Sequence, residues 1–251
     1  MQGATADGPG WLLRVCPEAR EAGGTFRYSI PPKREYVAPG KGKNPERSQS
    51  EAGRRARREL RQYCAANRLN RMGTLTYRGE GCHDQVQVRS DIATMFRALR
   101  AAKGGKAFPY LWVPEWHKTH GLHVHFAVAQ YIPERMLRTA WGHGFVSMRL
   151  IGDLPVGSGA VEEARKAAFY LSKYVAKTFA EAGPKRIAGR HRYDLAQGFK
   201  PEFVQVHGRS VEHVLGQASE MFGGAWPART WTSAEVPEWA GPPAISAQWS
   251  G

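Results

Sequence analysis

The sequence predicts an α+β fold in which a central antiparallel sheet carries helices on its faces. Short runs rich in β-branched and aromatic residues alternate with stretches whose apolar residues recur at helical spacing. Two of those runs, Phe108 to Glu115 and Leu122 to Ala129, are separated only by a short polar stretch that suits a hairpin. A chain of 251 residues, 42% of them hydrophobic, holds enough apolar material for one substantial domain with extensions or for two small ones.

The elements justify this class one by one. Residues 1–50 contain an apolar stretch, Trp11 to Val15, and a β-like stretch, Thr25 to Ile30. They end in Ala38-Pro39-Gly40-Lys41-Gly42-Lys43-Asn44-Pro45, which reads as a linker or basic arm. From Glu51 to Asn67 the pattern is helical: Ala56, Leu60, Tyr63 or Cys64, and Asn67 form one stripe, while Arg54, Arg55, Arg57, Arg58 and Arg61 cover the rest. Arg71 to Tyr77 is a strand by composition. A helix follows with Ser90 as N-cap, Ile92, Met95 or Phe96, and Leu99 at helical spacing, and Gly104-Gly105 as its stop. After the hairpin come a short helix from about Pro133 and a strand from Gly144 to Leu150. A long helix runs from about Val161 to Ala180 and stops before Gly183-Pro184. Arg192 to Leu195 and Phe203 to His207 read as further short strands. The chain thus divides into an N-terminal arm and linker over 1–50, a main domain over 51–215, and a Trp- and Pro-rich tail over 216–251. There is no internal repeat and no G-x-x-x-x-G-K-[ST] loop, so no ATP-driven motor is visible.

Charge narrows the function. A formal net charge of +14 gives the chain a field that attracts polyanions, of which nucleic acid is the commonest. The arginine-rich helix is read as phosphate-contacting rather than merely solvated. No apolar run reaches the roughly 18 residues of a membrane span, and no signal-like segment opens the chain, so a cytoplasmic protein without a membrane partner is expected. Cys16, Cys64 and Cys82 are too few and too far apart for a disulfide framework or a zinc-binding pair.

Two constellations carry chemistry. His123-Val124-His125 lies in an apolar strand, where alternation aims both imidazoles to one side and Val124 to the other. If the hairpin forms, the carboxylate of Glu115 comes level with the pair, and such a His-His-carboxylate set suits Mg²⁺ or Mn²⁺ while leaving positions for a phosphate oxygen. His117 and His120 in the intervening turn are alternative ligands or DNA contacts. The second constellation is Tyr170-Leu171-Ser172-Lys173-Tyr174-Val175-Ala176-Lys177. Helical spacing puts Tyr170, Lys173, Tyr174 and Lys177 on one face, with Ala164, Ala168, Leu171, Val175 and Phe179 roughly opposite. A phenol that attacks phosphorus gains from such neighbouring ammonium groups.

Gly73-Thr74-Leu75-Thr76-Tyr77, His123-Val124-His125 and Tyr170 to Lys177, in this order, resemble the three motifs of the His-hydrophobic-His (HUH) endonuclease superfamily, specifically the rolling-circle replication initiators of phages and plasmids. The resemblance covers about residues 55 to 210. It implies an RRM-like sheet topology, Tyr170 and Tyr174 as nucleophiles supported by Lys173 and Lys177, and Glu115, His123 and His125 as ligands of a divalent metal. It also implies DNA contacts from Thr74, Thr76 and the α-helical arginines. The activity implied is metal-dependent nicking and rejoining of single-stranded origin DNA, or an origin hairpin, through a 5′-phosphotyrosine, with host helicase and polymerase as partners. Competing readings are a transposase or relaxase of the same superfamily, a hydrolase using activated water, and a non-catalytic basic DNA-binding module.

Overall fold

A computed structural model describes residues 8–28, 44–117, 119–151, 159–180, 193–239 and 241–251, with the side chains of the 159–180 helix described as far as Tyr174. In chain order the elements begin β1 (Gly10–Cys16), β2 (Glu21–Arg27), α1 (Pro45–Ala66), β3 (Arg71–Tyr77) and α2 (Gln85–Ala102). They continue with β4 (Tyr110–Trp116), β5 (Leu122–Val128), α3 (Glu134–Trp141), β6 (Gly144–Leu150) and α4 (Gly159–Ala180). The last are β7 (Asp194–Leu195), β8 (Val204–Gly208), α5 (Val211–Glu220), β9 (Arg229–Thr232), a 3-10 turn (Ser233–Glu235) and β10 (Ala244–Gln248). The class is α+β, with two five-stranded antiparallel sheets where one central sheet was expected.

The chain divides into one compact unit of residues 1–45 with 201–251 and a second of 46–200. The sequence-based division at 50/51 and 215/216 separates segments that the structure pairs. In the first unit the strand order is β8-β1-β2-β10-β9, so the supposed arm supplies two neighbouring strands and the supposed tail two more. Helix α5, absent from the sequence-based element list, packs Val214, Leu215 and Ala218 against Leu13, Val15, Val206 and Ile245. Its signal was present: Ser210 accepts a hydrogen bond from His213 N at 3.2 Å, an N-cap ahead of apolar residues at helical spacing. Trp249 is buried against α5, and its Nε1 donates to the Ala225 carbonyl at 2.9 Å. The Ala38 to Lys43 part of the expected linker lies outside the described residues.

The second unit holds the sheet β6-β3-β5-β4-β7. Strand alternation divides it cleanly. Leu122, Val124, Phe126 and Val128 of β5 face α2 and α3 and join Ile92, Met95, Leu99, Leu137 and Trp141 in one core. The opposite face packs Met72, Leu111, Val113 and Ala127 against Ala56, Leu60 and Tyr63 of α1 and Ala164, Ala168 and Leu171 of α4. At Gly73 any side chain would collide with the Phe126 ring and the Ser147 carbonyl, so the close crossing of β3 over Phe126 requires glycine there. Helix α2 starts earlier than expected. Its N-cap is Asp84, whose carboxylate accepts the Val86 N–H at 2.7 Å, and Ser90 lies inside the helix. The expected strand at Arg192 is reduced to Asp194–Leu195, on the outer edge of β4.

Candidate functional site

The hairpin of β4 and β5 sets the geometry. Its register pairs Glu115 with His123 and Val113 with His125, so Glu115 and both imidazoles share the α1/α4 face of the sheet. His117 N donates to the Gly121 carbonyl at 2.8 Å and closes the turn. Gly121 stands at φ +67°, and a side chain there would run into the Cys82 backbone, which explains glycine at the turn's end.

His125 is held from three sides. Its Nε2 is 2.7 Å from Glu115 Oε2, and its Nδ1 is 3.1 Å from Thr74 Oγ1 on the neighbouring strand. The Tyr174 ring covers its face, with centroids 3.6 Å apart and planes within 12°. With Nε2–H donating to the carboxylate, Nδ1 accepts from the Thr74 hydroxyl. Because that hydroxyl can also accept, Thr74 serves the opposite tautomer equally well. Thr74, expected as a DNA contact, therefore orients a histidine, while Thr76 shares its side of β3 by alternation. Sequence spacing alone could not find the Thr74 role, because it depends on which strand lies beside β5.

His123 differs. Its Nε2 is buried without a hydrogen-bond partner among the described residues. His117 stacks on it at a centroid distance of 4.9 Å, and the His120 ring lies edge-on at 6.0 Å. Burial, and then the neighbouring imidazoles of His117, His120 and His125, lower its pKa below the ordinary histidine value, while Glu115 opposes them. The neutral imidazole is the form that binds a metal.

Among the described residues no three His, Cys, Asp or Glu side chains converge as a ready-made metal cage. The donor chemistry nonetheless fits a divalent cation. Two donors in adjacent positions around one ion, each about 2.1 Å from it, stand about 3 Å apart, close to the 2.7 Å between His125 Nε2 and Glu115 Oε2. An inward, unpartnered His123 Nε2 supplies a third donor on the same face.

Helix α4 lies on this face, against β4 with contacts to β3 and β5. Tyr174 and Tyr170 are half-buried at the margin of the core rather than opposite the aliphatic stripe, because buried Ala167 carries that stripe round toward them. The structure brings Tyr174 onto the histidine pair. Tyr170, one turn earlier, lies beside Lys173, whose ammonium is 5.0 Å from the Tyr170 and Phe169 ring centres. The Lys177 side chain lies outside the described residues, as do those of Val175 and Phe179. On α1, Arg54, Arg55, Arg57 and Arg58 are exposed and Arg61 is half-buried. No described helix is long and apolar enough to cross a membrane.

No curated protein and no solved structure matches the chain. Residues 70–179, the segment carrying β3, the hairpin with its histidines and α4 through Phe179, match the family model of replication-associated proteins of the ORF2 type.

Proposed function

We propose that this protein initiates rolling-circle replication by nicking single-stranded origin DNA, with Tyr174 as the first nucleophile and Tyr170 as the second. One observation carries the reading: a phenol on α4 lies against an imidazole that is itself bonded to the carboxylate of the hairpin. The match of residues 70–179 to a replication-associated family supports it. Glu115, His123 and His125 would hold Mg²⁺ or Mn²⁺, which supplies Lewis-acid stabilisation of charge building on the scissile phosphate.

The residues of the chain do the rest. The exposed arginines of α1 draw the strand in through its phosphates, which makes binding salt-sensitive. Thr74 and Glu115 fix the His125 ring, and that ring fixes the Tyr174 phenol. The phenol oxygen then bonds to phosphorus as the bond from phosphorus to the 3′ oxygen breaks. The phenol gives up its proton and the departing 3′ oxygen gains one. The 5′ phosphate stays on tyrosine, so the ester keeps the energy needed for rejoining. The freed 3′ hydroxyl is a primer for host polymerase, and strand separation falls to a host helicase. Lys173, over the Tyr170 ring, steadies charge when the second phenol acts in the rejoining step.

The test is incubation with Mn²⁺ and a single-stranded oligonucleotide spanning the replicon's origin, labelled at its 3′ end. The wild-type protein is expected to shift the label to a slow, denaturant-resistant band. Tyr174→Phe is expected to lose that band, while Tyr170→Phe keeps the first cut. Cutting without attachment would replace tyrosine by water as nucleophile, and binding without cutting would leave a DNA-binding module. An undiminished adduct in Tyr174→Phe would remove that residue from the role given to it.

A further inference from the structure

Across the sheet from the histidines is a second concave surface. It is an open cleft of about 330 Å³ between α2 and the β4/β7 edge. That volume is near the lower end of small-ligand sites, about 300–1,000 Å³, and suits one nucleotide rather than a longer segment. Strand alternation puts Tyr110 and Trp112 here, on the α2 face, whereas Val113 lies on the face that holds His125.

Its walls combine cations with flat rings. Arg89, Arg97 and Arg100 descend one side of α2 into the cleft, and Phe108, Tyr110 and Phe199 line it from other directions. Phe96 stacks on Tyr110 with centroids 3.6 Å apart and planes within 4°, so the Tyr110 ring is braced from one side. Arg89 is engaged by the protein itself: it bonds Asp194 Oδ2 at 3.3 Å and lies 4.9 Å from the Trp112 ring centre. Among the described residues Asp194 is the one acidic side chain lining the cleft, and this pairing offsets its charge. Arg97 and Arg100 are exposed at the rim.

Guanidinium groups beside aromatic faces form the combination that recognises a nucleotide in a single strand: phosphate meets arginine and base meets ring. An anion without a flat apolar part leaves the rings unused, and an apolar ligand leaves the arginines unused. We propose that this cleft is a second nucleotide site, taking one nucleotide with its phosphate at Arg97 and Arg100 and its base against the aromatic wall. In the DNA-nicking reading, on which the identity of the strand rests, the site grips the substrate away from the scissile phosphate.

The test compares Arg97→Gln/Arg100→Gln with Arg135→Gln/Arg138→Gln, which removes the same charge from exposed positions on α3. Calorimetry with dAMP and with inorganic phosphate, together with anisotropy of a labelled oligo-dT, separates the contributions. The cleft variant is expected to weaken nucleotide or oligo-dT binding about tenfold or more relative to the α3 variant. It is also expected to flatten the salt dependence of oligo-dT binding by about 0.7 for each phosphate no longer held. Wild-type protein should bind dAMP more tightly than phosphate. Loss confined to oligo-dT means that the nucleotide is taken only within a strand, and loss confined to dAMP identifies a free nucleotide as ligand. Both outcomes keep the site. Equal binding by the two variants for every probe would overturn it, as would a wild-type protein that binds phosphate as tightly as dAMP. Tyr174→Phe should bind like wild type in these assays, so failure of the nicking chemistry and failure of the cleft are read separately.

Discussion

Thr74 illustrates how a single side chain gains its role from its neighbour. It is held 3.1 Å from His125 Nδ1, and an imidazole so fixed presents its Nε2 in one direction. Thr74→Val keeps the shape of the side chain and removes the hydroxyl. Mn²⁺ affinity, followed by paramagnetic relaxation of water in a Mn²⁺ titration, is expected to fall about 10- to 100-fold, the range typical for removal of a partner that orients a metal ligand. An unchanged titration would mean that Glu115 and Tyr174 alone fix the ring. Buried phenols make a second prediction at this scale. Burial, with the Asp91 carboxylate in the case of Tyr77, raises the Tyr63 and Tyr77 hydroxyls above the ordinary phenol value of 10.0. Tyr77 also donates to Asp91 Oδ2 at 2.8 Å. Below pH 10 both states keep these protons and nothing is lost. Above it the unfolded chain releases them while the folded chain holds them, so stability falls by about 1.4 kcal/mol per pH unit for each phenol until its folded value is reached. Urea unfolding between pH 8 and pH 11 is expected to show this decline, and Tyr77→Phe to make it shallower. An equal slope in both proteins would refute the assignment to Tyr77.

Helix boundaries belong to the next scale. Both Asp84 and Ser90 are good caps by residue type, and the sequence pattern favoured Ser90 because regular apolar spacing is clearest after it. The structure extends the helix back to Gln85, with Val88 buried as part of the core. Asp84→Ala is therefore expected to cost about 1 kcal/mol in chemical denaturation, and Ser90→Ala a few tenths or less. The reverse ranking would show that the helix starts where its periodicity does. Elements with two-residue alternation were easier to read. The hairpin register, and with it the level of Glu115 beside His123, follows from two apolar strands and a short polar turn. Helix α4 was legible in its extent but not in its orientation. The Tyr/Lys spacing specifies a face, and only packing of Ala164, Ala167, Ala168 and Leu171 on the sheet turns Tyr174 toward His125.

At the level of the whole molecule, the chain's two ends form one sheet. Strands β1 and β2 lie between β8 and β10, so each links strands contributed from the other end of the sequence. Deleting residues 1–28 removes both and leaves β8, β9, β10 and α5 without the apolar surface of Leu13, Val15 and Ala22. Limited proteolysis of that deletion is expected to degrade residues 201–251 quickly while 46–200, with its own two cores, stays resistant. A protected C-terminal segment would show that it folds without the N-terminal strands. The sequence by itself determined the class, the hairpin, and the residue types able to bind DNA, hold a cation and attack phosphorus, because these depend on local period and side-chain chemistry. Tertiary structure alone decided that the ends pair, that Thr74 braces His125, that Tyr174 rather than Tyr170 meets the imidazole, and that three arginines of α2 share a cleft with distant aromatic rings. Those contacts join residues far apart in the chain, and strand order and the way each helix lies on its sheet are set by the total burial of apolar surface, which no short stretch of sequence encodes.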